Sequence, residues 1–353
     1  MQLKYILKSI SDTYNFKNNS NVIFLNTGDI LSGKILHKNY SDAKFLPGQA
    51  KKSIQNNDIL FSEIRPANQR FALVNVENPN DYVVSTKLMV LRCFNPNYSI
   101  KYVYNFLTQP TILNQLQTLA ESRSGTFPQI TFSEIETLEI PDLSLEQQSH
   151  IVDILGSIDN SIENNEEKAK KITELALLLI QKKSSNQTEL KPFIKFIKGK
   201  KPFENGTHLD DYLSIDAITT GNYTKSFTDD MIMAKPFDIL MVMDGASSGT
   251  VFSHQKGIVS STLAKIETSN EINDYLFWYL LLLKDTIKSR NTGSAIPHAN
   301  KDYIGSLLFD YDTATNNELR LKLHAFREEL IEIQNKNKEL KQLKELYLKK
   351  FFD

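Results

Sequence analysis

The chain has 353 residues, 41% of them hydrophobic and 24% charged, which is ordinary globular composition with room for two domain cores. No segment is both long and polar enough to stay unfolded. A formal net charge of −1 argues against a protein that grips nucleic acid unaided, since such domains are usually basic.

The charge is uneven along the chain: +2 for residues 1–143, −2 for 144–187, −3 for 188–313 and +2 for 314–353. A DNA-binding version of this protein would draw much of its phosphate attraction from a partner. The single cysteine, Cys93, forms no intramolecular disulfide, and the histidines (His37, His150, His208, His254, His298, His324) are not spaced as metal ligands on one element. The longest apolar stretch, Tyr275 to Leu283, falls far short of the roughly 20 residues of a membrane span, and Lys4 and Lys8 interrupt the N-terminal segment. A soluble, cytoplasmic protein without structural zinc is expected.

In chain order, residues 1–143 read as a mixed α/β domain. Strands are expected at Val22–Leu25, Ile59–Ile64, Arg70–Val76 and Val83–Leu91, then one helix over Ile100–Glu121. Pro141 closes this region. Ser144 and Gln147 then form a capping box for a long helix over 144–187, with Ile151, Leu155, Ile158, Ile162, Ala169, Ile172, Ala176 and Leu179 on one seam. Residues 188–313 repeat the mixed pattern, with strands at Tyr212–Ile218, Ile239–Met243, Thr250–Phe252 and Ile258–Ile266 and a helix over Asp274–Ser289. Thr315 and Glu318 are expected to cap a last helix over 314–353, whose seam is Leu319, Leu323, Phe326, Leu330, Ile333, Leu340 and Tyr347.

The second half repeats the first at an offset of roughly 170–180 residues. Asp58-Ile59-Leu60 recurs as Asp238-Ile239-Leu240, and Val84-Ser85-Thr86 as Val259-Ser260-Ser261-Thr262. Gly125-Thr126-Phe127-Pro128-Gln129 matches Gly293-Ser294-Ala295-Ile296-Pro297-His298, and Ile172-Thr173-Glu174-Leu175 matches Leu343-Lys344-Glu345-Leu346. The fold class is therefore α+β: two similar mixed domains joined by two long helices in an antiparallel coiled coil, with an internal pseudo-two-fold repeat. A seam spacing near 3.5 residues supports the coiled coil, and Asn165 and Asn337 are its polar, register-setting breaks. Each helix should run roughly 55 Å at 1.5 Å per residue, longer than a domain of this size is wide. Packing each helix on its own domain is the plainer alternative.

Catalytic patterns fail. There is no acidic or Asn-Pro-Pro-aromatic loop to hold a flipped base, Asp244 to Thr250 has two glycines but no P-loop lysine, and no nucleophile–base pair assembles. What remains is base-reading chemistry. Arg65, Asn68, Gln69 and Arg70 lie together between strands, and arginine suits guanine edges while Asn and Gln suit adenine. Lys44, Gln49, Lys51 and Lys52 suit phosphates. The second half offers Lys198, Lys200 and Lys201, interleaved with Phe193, Phe196 and Phe203, and the weaker candidates Ser247, Ser248, His298, Asn300 and Lys301. An ordinary solvated loop competes with each assignment.

These joints and loops resemble the specificity subunit of type I restriction-modification enzymes. The segment Ile140-Pro141-Asp142-Leu143-Ser144-Leu145-Glu146-Gln147-Gln148 is similar to that family's passage from recognition domain to spacer helix. Asn26-Thr27-Gly28-Asp29-Ile30, Leu46-Pro47 and Asp58-Ile59-Leu60-Phe61-Ser62 are similar to one class of first recognition domain. The resemblance implies a non-catalytic chain without its own cofactor that reads a split site in double-stranded DNA. It further implies two methyltransferase subunits carrying S-adenosylmethionine, and restriction subunits that translocate DNA. The specificity chain of a two-subunit, type IIB-like restriction enzyme shares this architecture, and a coiled-coil scaffold with two protein-binding modules is the alternative from another class.

Overall fold

The structure, a computed structural model, describes residues 1–122, 128–181, 187–293 and 295–352. Gly125-Thr126-Phe127 and Ser294 of the repeat motif, and the end of the expected central helix at 182–186, lie outside the described residues. The chain packs into two compact units, Met1–Ser161 with Glu339–Asp353, and Ile162–Lys338. Each unit contains a segment of both long helices.

The first unit holds β1 (Leu7–Ile10), β2 (Asn21–Leu25), β3 (Ile30–Leu31), β4 (Lys34–Ile35), β5 (Ser41–Asp42), β6 (Ala50–Lys52), β7 (Ile59–Ser62), β8 (Phe71–Leu73), β9 (Tyr82–Ser85) and β10 (Leu88–Cys93). They form one sheet in the order β1-β10-β7-β8, another in the order β5-β2-β9-β6, and the hairpin β3–β4. The four residues of β7 are all buried because the strand has two covered faces. Successive side chains point to opposite sides: Ile59 and Phe61 join a core with Tyr102, Val103 and Phe106, while Leu60 joins Ile23, Leu25, Val84 and Val90. That is why its sequence is a continuous apolar run without alternation.

The expected single strand over Val83–Leu91 is two strands in different sheets, separated at Thr86-Lys87. The expected single helix over Ile100–Glu121 is also divided, into α1 (Ile100–Thr108) and α2 (Pro110–Glu121). Gln109 is extended, at φ −69 and ψ 148 degrees, because a following proline crowds the helical conformation of the residue before it. Pro110 then takes the first position of the next helix, where its missing N–H costs nothing. The short α3 (Phe132–Ile135) follows.

The second unit has β11 (Gln187–Glu189), β12 (Lys195–Lys198), β13 (Leu209–Leu213), α5 (Ile215–Thr220), β14 (Thr224–Phe227), β15 (Met233–Ala234), β16 (Ile239–Val242), β17 (Val251–Phe252), β18 (Gly257–Val259), β19 (Leu263–Glu267), α6 (Asn273–Leu282), α7 (Lys284–Ser289), α8 (Lys301–Gly305), β20 (Leu308–Asp310) and α9 (Tyr311–Thr315). Its sheets run β12-β19-β16-β17 and β14-β13-β18-β15. These two sheets repeat those of the first unit strand for strand, down to one parallel pair in each, β2 with β9 and β13 with β18, while the β11–β20 pair is matched in the first unit, among the described residues, only by the bridge of Gln2 with Glu139. The β3–β4 hairpin has no strand counterpart between β13 and β14, where α5 stands instead. The expected strand Tyr212–Ile218 is therefore corrected: it ends at Leu213, and Ser214 caps α5 by accepting a hydrogen bond from the Ala217 amide at 3.0 Å. The expected strand Ile258–Ile266 divides as its first-unit counterpart does.

The long helices are α4 (Leu145–Ile180) and α10 (Asn317–Phe352). The capping box of α4 forms: the Ser144 amide donates to Gln147 Oε1 at 3.0 Å, and the Gln147 amide to Ser144 Oγ at 3.3 Å. The cap of α10 is Asn316, whose Oδ1 accepts from the Leu319 amide at 2.9 Å. The expected cap Thr315 instead ends α9, its hydroxyl donating back to the Tyr311 carbonyl.

Within the first unit, Ile151 and Leu155 of α4 share a core with Leu348, Tyr347, Phe351 and Phe352 of α10, and Lys344 clasps Asp159 at 2.6 Å. Within the second, Asn165 Nδ2 donates to Asn337 Oδ1 at 2.7 Å, and Lys168 pairs with Glu329. In each unit the partner number falls as the α4 number rises, so the segments are antiparallel. Ile158, Ile172, Leu323 and Ile333 are buried, and Ile162, Phe326, Leu330 and Leu340 are partly so. At the helix ends the most buried residues are Ile180 and Leu348, and Leu179 and Tyr347 lie beside them half-buried. A straight helix drifts off a 3.5-residue repeat.

Arg327 of α10 is fully buried in the second unit. Its guanidinium donates to Asp274 Oδ1 at 2.8 Å, to the Phe237 carbonyl and to Ser253 Oγ, and lies over the Phe277 ring. Asp274 also meets His324 Nδ1 at 3.0 Å. Burial, and secondarily the Arg327 charge, pushes the nearby His254 imidazole down to about 4. A histidine that folds neutral contributes stability fully present above its unfolded pKa near 6.5 and lost as pH falls toward 4. Urea unfolding of the second unit should therefore weaken by about 3 kcal/mol between these limits. His254→Asn, which keeps a residue tolerant of the positive φ of 65 degrees at this position, should flatten that slope.

Candidate nucleic-acid interface

In the first unit the Arg65–Arg70 stretch is the β7–β8 connection, built round a short 3-10 turn at Pro66–Asn68. Arg65 and Gln69 flank the turn with φ of 47 and 54 degrees, a left-handed backbone that non-glycine residues adopt only when held there. The holding contacts are present. The Arg65 amide donates to the Pro128 carbonyl, the Ala67 amide to Gln117 Oε1 on α2, and Ser32 Oγ to Gln69 Oε1 at 2.7 Å. Arg70 Nη1 donates to the carbonyls of Gly28 and Ile30 at 3.1 and 3.0 Å. Arg65, Asn68 and Gln69 are exposed and Arg70 is half-buried, so the four candidates divide into outward groups and a clamp.

The lysine-rich stretch reaches the same place by a backbone route. The Thr86 amide donates to the Gln49 carbonyl at 2.9 Å, and the Glu63 amide to the Lys87 carbonyl at 3.1 Å, so the β9–β10 turn links the β5–β6 connection to the β7–β8 connection. Lys44, Gln49 and Lys51 are exposed. Lys52 is not available as a simple phosphate ligand: its Nζ donates to the Thr86 and Leu88 carbonyls at 3.2 and 2.8 Å, and burial lowers its pKa. It fastens the turn.

The second unit repeats this arrangement. The Glu63–Lys87 bond recurs as the Met243 amide to the Thr262 carbonyl at 2.8 Å, and the Arg65–Pro128 bond as Gly245 to Pro297 at 2.9 Å. The Ser62–Arg70 bond recurs as Val242 to Thr250, and the Ile130–Glu63 bond as Ala299 to Met243. Asp244 to Thr250 is thus the counterpart of Ile64 to Arg70, an equivalence that the residue types of the two loops do not show.

Lys198 Nζ and His298 Nδ1 both contact Asp244, at 2.9 and 2.8 Å. Burial works to raise the Asp244 pKa, but the hydrogen bonds from Lys198 and His298 outweigh it and hold the carboxyl below its ordinary value. Lys200 donates to the Asp230 carbonyl, Lys201 is exposed, and Lys301 lies over the Phe196 ring. Ser247 is half-buried. Two candidates carry structural roles instead: Ser248 is fully buried with its hydroxyl taken by Asn291 at 2.7 Å, and Asn300 caps α8 by accepting from the Tyr303 amide at 3.0 Å.

Gly199 is the joint of this surface. A Cβ there would stand 2.2 Å from the carbonyl oxygens of both Val259 and Ser260, closer than any real contact. Gly199→Ala should cost about 1–3 kcal/mol by overpacking and swing Lys198 and Lys200 off the surface. The unfolding midpoint checks the first effect, and the salt dependence of DNA binding the second.

A family model described as the type I restriction modification DNA specificity domain matches residues 4–174 and again 182–309. The chain belongs to this family. The type I restriction enzyme HindI specificity subunit of Haemophilus influenzae is 41% identical over 179 residues, 50% of this chain and 38% of that protein. The MjaVIII specificity subunit of Methanocaldococcus jannaschii is 40% identical over 117 residues, 31% of this chain and 28% of that protein. The matches thus span well under half the length of these curated relatives. The S subunit of a type I restriction-modification system from M. genitalium has the same fold, with a TM-score of 0.57 at 15% identity, over 100% of this chain and 95% of that one. The two specificity-domain matches fall one on each repeat, so each matched domain contains one of the two equivalent loop clusters.

Proposed function

We propose that this chain is the non-catalytic, DNA-reading subunit of a cytoplasmic type I restriction-modification complex. Each repeat reads one half of a split site in double-stranded DNA. Methyltransferase subunits, two per complex and carrying S-adenosylmethionine, and restriction subunits then act where it binds. The observation that supports this most is the pair of topologically equivalent loop clusters, one on each repeat, holding different polar side chains on the same backbone. A scaffold would need no such matched pair. Direct readout needs rigid backbones and exposed amide, guanidinium and imidazole groups, because hydrogen bonds to base edges carry the sequence information while lysines to phosphates set the register.

The test is a genome-wide map of adenine methylation in cells with and without this gene. Loss of methylation at one split motif, two short defined blocks around an unread gap, is the expected result. An unchanged map, together with no specific DNA binding by the chain when co-purified with its methyltransferase, would overturn the reading in favour of a scaffold.

A further inference from the structure

The repeated loop clusters correspond position by position. Backbone equivalence places Arg65 with Gly245, Asn68 with Ser248, Gln69 with Gly249, and Gln129 with His298. The last pair is the most constrained. Gln129 bridges Ile64 as His298 bridges Asp244, and in both units the residues on either side are tied down: Pro128 and Ile130 to Arg65 and Glu63, Pro297 and Ala299 to Gly245 and Met243. The direction in which each Cβ leaves the backbone is set by this ladder.

Gln129 is exposed, and among the described residues its amide has no hydrogen-bond partner. Other glutamines near it are occupied: Gln69 accepts from Ser32, and Gln117 accepts from the Ala67 amide and donates to Glu121. A primary amide on a fixed backbone, one ladder position from Arg65, has the donor and acceptor pair that matches adenine N6 and N7. In the second unit the same position carries an imidazole that is half exposed and braced by Asp244.

We infer that Gln129 is a specificity-determining residue for the first half-site, and that His298, oriented by Asp244, occupies the same role for the second. This rests on the function proposed above. The backbone is kept and the side chain is changed, so the two half-sites differ at the base pair this position reads.

The test uses the full chain assembled with its methyltransferase, and a DNA library in which every base pair of the mapped split site is varied in turn. Gln129→Ala should lower discrimination about tenfold or more at one base pair of one half-site. The other half-site, the salt dependence and the unfolding midpoint should stay as in the parent. His298→Ala should do the converse. Unchanged discrimination at every position, or a uniform loss with a shallower salt dependence, which marks a phosphate contact, would overturn the inference. If the parent complex itself reads no split site, the proposed function fails before the variants are compared.

Discussion

Arg327→Met should destabilise the second unit by about 3–5 kcal/mol, the cost of removing one partner of a buried ion pair. The side chain is fully buried and reaches Asp274, a backbone carbonyl and a serine hydroxyl at once. Burial disfavours its charged form, and Asp274 opposes that tendency. The helix-pair contact Lys168 with Glu329 is a useful contrast, because both partners are more than a third exposed and exposed pairs contribute roughly 0–1 kcal/mol.

Trp278 reports on this directly. It is the only tryptophan, it is fully buried, and its indole N–H donates to the Leu323 carbonyl of α10 at 3.2 Å. Urea unfolding followed by its fluorescence should show the loss in Arg327→Met and a similar loss in Asp274→Leu. The double variant should cost much less than the sum, because replacing both partners removes the uncompensated charge. Additive losses, or a change under about 1 kcal/mol for Arg327→Met, would show that packing of the aromatic neighbours carries the site.

The features legible in the sequence are those whose cause is local or periodic. The Ser144–Gln147 box lies within four residues, Asn165 and Asn337 announce themselves as polar breaks in apolar seams, and Asp58-Ile59-Leu60 with its echo marks the central strand of each repeat. The features that escape it depend on partners distant in sequence. Nothing near Arg70 indicates that the carbonyls of Gly28 and Ile30 will take its guanidinium, and nothing near Lys52 points to Thr86 and Leu88. Ser248 reads as a polar loop residue because Asn291, which covers it, is reached only in the fold. Gln129 is hidden for the opposite reason: a lone glutamine carries no signal until the ladder to Ile64 fixes where it points. The repeat itself holds the clue, since Pro128-Gln129 aligns with Pro297-His298 and a reader at one position implies a reader at the other.

The division of labour within the β7–β8 connection gives the second large effect. Arg65→Ala with Asn68→Ala removes two exposed groups from a backbone held by other contacts, so specific DNA affinity should fall by about 1–3 kcal/mol for each bidentate hydrogen-bond pair to a base edge that the substitution abolishes. Stability should fall by less than affinity does, and the salt dependence should stay near the parent value, since the lysines proposed to meet phosphates are untouched. Arg70→Ala should behave differently. Its two charge-assisted hydrogen bonds tie the connection to Gly28 and to Ile30 at the start of β3, and their loss should cost about 1.5–3 kcal/mol of stability before any effect on DNA. Binding by Arg70→Ala should then weaken because the connection loses its anchor at Arg70 while its other holding contacts remain. If Arg65→Ala with Asn68→Ala lowers stability as much as it lowers affinity, the outward groups are structural. If Arg70→Ala shifts preference at one base pair with an unchanged unfolding midpoint, Arg70 is a reader and the clamp assignment falls.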